Sequence, residues 1–268
     1  MNERISVNSS CLRGLNWREL ADCIIALGVE RVGFAGTMPD PAIMRPVVEQ
    51  GGLRLETVAH PFLYGPQLDE GPAAIAEGRR RLSEMIRFVA SLDGRSVFLT
   101  TGGRGALSWE QAAECFCAAI APCIAEAADA GVLLMVENTP QVYAEVNIVH
   151  SLRDTITLAE MAGIGICLDV FSCWTEAGFE DLIARAVPRC HLIQLNDYVL
   201  GDRAFPCRAV PGDGAIPLRR IIELALSAGY QGVFDLEMSG PRIDAEGHFP
   251  AARRGVEFIR ETLRSLGA

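Results

Sequence analysis

Apolar runs too short for globular helices recur along the chain, and several end abruptly on a polar or charged residue. Residues 133–140 read Leu-Leu-Met-Val-Glu-Asn-Thr-Pro, which predicts a buried strand delivering the carboxylate of Glu137. The same shape returns at 164–169, 191–197 and 233–237. Four strands therefore aim oxygen-bearing side chains at one place.

In chain order, the pattern predicts strands at 4–10, 31–35, 53–60, 96–101, 133–140, 165–170, 191–197 and 232–238. Helices are predicted between them, at 16–27, 41–50, 72–92, 108–130, 148–161, 179–186 and 218–228, with a last one at 251–266. Asn16 with Glu19, and Ser108 with Gln111, have the spacing of capping boxes, which fixes two of the helix starts. Eight strands alternating with eight helices, the strands apolar as when both faces are covered, predict a single (β/α)8 TIM barrel over 1–268. An open doubly wound sheet fits less well. No Gly-x-Gly-x-x-Gly follows the first strand, and the polar ends belong to many strands instead of one crevice. Neither an internal repeat nor a low-complexity linker marks a domain boundary.

Composition narrows the chemistry. The 268 residues, half of them apolar, suit one barrel of about 250 residues. All 24 basic residues are Arg, so Schiff-base aldolases, pyridoxal-phosphate enzymes and a P-loop Lys are excluded. The net charge of -10 and a pI of about 5.0 oppose nucleic acid as a partner. Nine Cys with no C-x-x-C pair suggest free thiols in a reducing compartment. The opening Met-Asn-Glu-Arg-Ile lacks a basic start and an apolar core, and no apolar stretch is expected to reach the ~18 residues of a membrane span. The expectation is a cytoplasmic protein without a membrane partner that takes a small-molecule substrate, with pairing of two barrels left open.

In a barrel the C-terminal strand ends form the active face, which Glu137, Asp169, Gln194 and Glu237 would all reach. Three carboxylates gathered there repel one another unless a cation holds them, and a divalent metal is the economical answer. The bland alternative pairs each acid with its own Arg. Carboxylate and amide oxygens are hard donors that suit Mn²⁺ or Mg²⁺, with Co²⁺ admissible, over structural Zn²⁺, for which no Cys or His spacing exists.

These residues resemble the xylose isomerase-like barrels, which include sugar phosphate isomerases and epimerases, ketose 3-epimerases, inosose dehydratases and endonuclease IV. The resemblance covers nearly the whole chain. It rests on Glu137-Asn138-Thr139-Pro140, on Asp169 in Cys-Leu-Asp-Val and on Glu237 in Asp-Leu-Glu-Met. Where the family has His-Leu-Lys-Asp, this chain has Gln194-Leu195-Asn196-Asp197, which puts Gln194 at the ligand position. The run 208–214, Arg-Ala-Val-Pro-Gly-Asp-Gly, is similar to a ketose-epimerase loop, and the likeness implies that Arg208 contacts a substrate oxygen. It is also ordinary turn chemistry. Ser172 stands where those epimerases have His and Tyr143 where they have an acid, departures that argue against a standard ketose pocket.

By the resemblance, Glu137 and Glu237 are the catalytic base and acid of an isomerase or epimerase, and Asn138, His60 and Arg104 are candidates for substrate contact. His60 reads equally as a capped strand end, and Arg104 as a solvated loop residue. A lyase on the same site is the runner-up, since an enolate can also expel a β-leaving group. Endonuclease IV chemistry needs more His ligands than the four present. A metal-free binding protein and a two-thiol racemase using Cys11 and Cys173 complete the rivals. His150, His191 and His248 are assigned structural roles.

Overall fold

The computed structural model describes residues 4–35 and 40–268. Strands β1 (Ile5–Asn8), β2 (Arg31–Phe34), β3 (Arg54–Pro61), β4 (Ser96–Thr100), β5 (Leu133–Glu137), β6 (Gly165–Asp169), β7 (Cys190–Leu195) and β8 (Val233–Leu236) follow one another around a closed barrel. Every neighbouring pair is parallel, β8 with β1 included, so the chain is a TIM barrel. Around it lie α1 (Trp17–Ala26), α2 (Pro41–Glu49), α3 (Pro72–Ala90), α4 (Trp109–Asp129), α5 (Leu152–Ala162), α6 (Phe179–Ala186), α7 (Leu218–Ser227), α8 (Pro241–Glu246) and α9 (His248–Ser265).

Both expected capping boxes form. Asn16 and Ser108 each accept from the backbone N–H three residues on, and Glu19 and Gln111 reach back to the cap. Two helix starts differ from expectation. The helix expected from 148 begins at Leu152, because Ile148 N–H is held by Thr101 Oγ1 and Asn147 Oδ1, and Ser151 becomes the cap. The last helix starts early, at His248, with α8 just before it. Gly247, at φ 96°, makes the break, and Pro250 falls in the first turn, where a missing N–H costs nothing.

Strand alternation divides the core in two. Outward residues such as Val7, Val32, Leu99, Val136, Leu168 and Leu236 pack under the helices in one large cluster. Inside the barrel, Ala59, Phe98, Met135, Cys167, Leu192 and Val233 form a separate small apolar layer. One membrane expectation needs amending: α4, with 21 residues, has the length and apolarity of a bilayer span. Its Phe116, Ile120 and Cys123 are instead fully buried in the outer core.

The N-terminal half of the barrel is tied by Glu56 of β3. It is 1 % exposed and takes Nη1 of Arg31 and Nη1 of Arg95, each at 2.7 Å. Removing the carboxylate takes one buried charge partner from each of two guanidinium groups. Glu56→Ala should lower the unfolding free energy in urea by about 3 kcal/mol while divalent-metal binding at the opposite end is unchanged. A loss below about 1 kcal/mol would show the bridge to be no stronger than a surface pair.

Candidate metal and catalytic site

The same alternation builds the site. Two residues beyond the inner-layer Met135, Cys167 and Leu192 come Glu137, Asp169 and Gln194, again facing inward. On β8, steps of two from Val233 give Asp235 and then Glu237, just past the strand end. One oxygen from each of Glu137, Asp169 and Glu237 lies within 4.8 Å of the others. All three residues are buried.

Burial pushes the Glu137 carboxyl well above the usual range, and the charges of Glu237 and Asp169 push further against the opposing pull of Arg208 and Gln194. Glu237 is raised too, by burial and by Asp169, although Arg208 restrains it. Arg208 is the counter-charge: Nη2 donates to Asp169 Oδ2 at 2.9 Å and Nη1 to Glu237 Oε2 at 2.6 Å. Burial alone would lower its own pKa, yet the charges of Asp169 and Glu237, with that of Glu137, hold it above the ordinary value. Asp169 also accepts from Phe171 N–H at 3.1 Å and Ser172 Oγ at 2.8 Å. Ser172, a departure from the epimerase pattern, thus orients a carboxylate.

Gln194 is the test of whether a cation fits. It is fully buried close to Glu137, yet neither amide atom has a well-formed hydrogen bond. A buried amide is rarely left unsatisfied. An unsatisfied amide next to Glu137, together with three converging carboxylates, offers the oxygen donors a hard divalent ion takes, so these residues fit one.

The remaining candidates divide. Asn138 is buried and spends its amide on β6, donating to Asp169 O at 2.8 Å and accepting from Asp169 N–H at 3.0 Å. It positions Asp169 and does not line the cavity. His60 borders the cavity, but alternation with inward Ala59 turns its ring to the helix side, where burial and then Arg81 lower its pKa to about 4. Arg104 is exposed in the loop after β4 and does not line the cavity. Cys11 donates to Leu236 O and Cys173 to Asp169 O, and burial raises both thiols, so neither is poised as a thiolate.

Two organising residues carry no role in the sequence pattern, although Asp197 closes the run 191–197. Asp197 is 1 % exposed and accepts from the N–H groups of Tyr198, Gly212, Gly214 and Ile216 at 2.8–3.0 Å. Together with its backbone pairing to Ala209, this fixes the loop carrying Arg208. At Gly214 a side chain would strike Asp197 and Tyr198, so the glycine pattern was the available signal. Asn147 donates to Glu137 O at 2.8 Å and accepts from Thr101, joining the loops after β4 and β5. Above the acids opens a cavity of about 320 Å³, lined also by Tyr143, Phe171 and Phe205. Beneath Glu237, buried Asp235 accepts from Ser6 Oγ and from Asn8 Nδ2 at 3.2 Å.

The family model described as "Xylose isomerase-like TIM barrel" matches residues 43–262. No curated protein matches the sequence. Among solved structures, a protein from Sinorhizobium meliloti 1021 is 23% identical, with a TM-score of 0.80, 97% of this chain and 98% of that one covered. An L-ribulose 3-epimerase is 19% identical, at 0.79, covering 98% and 95%. The IolI protein, described with a bound zinc atom, is 13% identical, at 0.82, covering 98% and 99%. At these identities the likeness is one of fold.

Burial pushes Asp235 from an ordinary 3.8 to about 7, with Ser6 opposing and Glu237 adding to the rise. A carboxyl raised in the folded state keeps a proton that the unfolded chain has released, so stability falls as pH climbs from about 4 to about 7 and then levels. The slope from this one group is on the order of 1.4 kcal/mol per pH unit. In chelator, urea unfolding of Asp235→Asn should lose that part of the decline relative to the unaltered protein. Parallel pH profiles would exclude the shift.

Proposed function

This chain belongs to the xylose isomerase-like TIM barrel family, and on that premise we propose that it is a divalent-metal-dependent isomerase or epimerase of a sugar or related hydroxycarbonyl compound. The reading rests on the convergence of Glu137, Asp169 and Glu237 at the barrel mouth, beside an orphaned Gln194 and beneath a cavity. Those four residues would hold the ion, and their hard oxygens favour Mn²⁺ or Mg²⁺, with Co²⁺ admissible. When bound, the ion supplies a Lewis acid that polarises a carbonyl and acidifies the adjacent C–H.

The chain's own groups divide the proton work. Glu137 stands outside the Arg208 ion pairs, so its carboxylate is not committed to the guanidinium and serves as the general base. It takes the proton from the carbon beside the carbonyl. Glu237, three strands away around the barrel, approaches from another side and returns a proton to the opposite face or the neighbouring carbon. Arg208 pairs with Asp169 and Glu237 and has further N–H donors for a substrate oxygen. The buried wall limits water around the carbanionic intermediate.

With Mn²⁺ present, the protein should exchange the proton beside a carbonyl for solvent deuterium. Deuterated sugar returned to solution marks epimerisation or isomerisation; an unsaturated product marks elimination at the same residues. Glu137→Gln and Glu237→Gln should each slow exchange by about 10²–10⁴-fold with circular-dichroism melting retained. Undiminished exchange in both variants would end the assignment. Separately, calorimetric titration should show one Mn²⁺ per chain, weakened about 10- to 100-fold in Asp169→Asn. A flat titration of the unaltered protein would remove the metal from the proposal.

A further inference from the structure

The carboxylates and the guanidinium of the cavity gather at one end, where Glu137, Asp169, Glu237 and Arg208 form the floor cluster. Above them the described wall is largely carbon, with Phe98, Val146, Phe171, Phe205 and Pro206 prominent. The hydroxyls along it belong to Ser10, Tyr64, Thr100, Thr139, Tyr143 and Ser239, of which Thr139 Oγ1 already accepts from Asn147 at 3.1 Å and meets His150. Each hydroxyl of a sugar tail brings one donor and two acceptors, and against these rings most would go unpaired.

The rim continues the pattern. Of the six large apolar residues exposed among the described residues, Tyr64, Val142, Leu200 and Phe205 lie on loops following β3, β5 and β7, at the cavity's end of the barrel. Tyr143 and Phe205, from two different loops, pair their rings at 5.4 Å, and both line the cavity. The Arg208 guanidinium sits 5.4 Å from the Phe171 ring centre, so an aromatic surface begins directly at the polar floor.

From this we infer that the substrate is a hydroxycarbonyl compound bearing an apolar substituent, aryl or branched alkyl, and not a free, fully hydroxylated sugar. The hydroxycarbonyl head lies on the carboxylates and Arg208, a placement that rests on the reading given under Proposed function. The apolar group packs among Phe171, Tyr143 and Phe205.

Calorimetric binding to the Mn²⁺-loaded protein tests the tail apart from turnover. Benzyl hydroxymethyl ketone and erythrulose share a hydroxyketone head and differ beyond it. The benzyl compound should bind about ten- to a hundredfold tighter, and Phe205→Ala should shrink that ratio about tenfold, with Phe205→Leu retaining most of it. Equal or tighter binding of erythrulose, binding of neither compound, or a ratio that survives both Phe205→Ala and Tyr143→Ala would overturn the inference. Deuterium exchange run in parallel separates the two readings. Selective binding without exchange sustains the apolar-substituent class and removes the isomerase chemistry; exchange of erythrulose with no binding preference does the reverse.

Discussion

Three carboxylates held within 4.8 Å of one another in a buried place are the constraint around which the C-terminal face is arranged. At that separation two full charges repel by about 3.5 kcal/mol for an effective dielectric near 20. One guanidinium, Arg208, offsets two of the three and leaves Glu137 outside its fork. Burial, together with the residual repulsion, raises Glu137 and Glu237 and makes the place receptive to a further positive charge.

Holding that arrangement requires fixed backbone, and the fold supplies it through neutral amides and one buried acid. Asn138 locks Asp169 to the end of β5, Asn147 ties Glu137 to the β4 loop, and Asp197 gathers four N–H groups to set the Arg208 loop. None of the three points its chemistry at the cavity. They convert an electrostatically reluctant cluster into a single geometry, which is the preorganisation a proton-transfer site needs.

The two ends of the barrel treat charge differently. Glu56 near the N-terminal end is matched by two Arg and closed off, a purely structural solution. The C-terminal end keeps acid in excess and opens onto a cavity. That asymmetry is the usual division of labour in this architecture, stability at one face and chemistry at the other.

The sequence by itself determined the barrel and its acids. Short apolar runs at regular intervals, two capping boxes and strand-terminal charges are local signals, because strand period and cap chemistry act within a few residues. Glu137, Asp169 and Glu237 were legible for that reason, as was Gln194 at the matching step of β7. Tertiary structure decided what those residues meet. Arg208 lies 39 and 29 residues from its two acids, and only barrel closure and the Asp197-held loop bring it between them. The same folding sent Asn138 into the backbone, left Arg104 outside, turned His60 to the helix side and joined Tyr143 to Phe205 over the site. Side-chain partners across a barrel depend on shear and loop path, which no local period encodes.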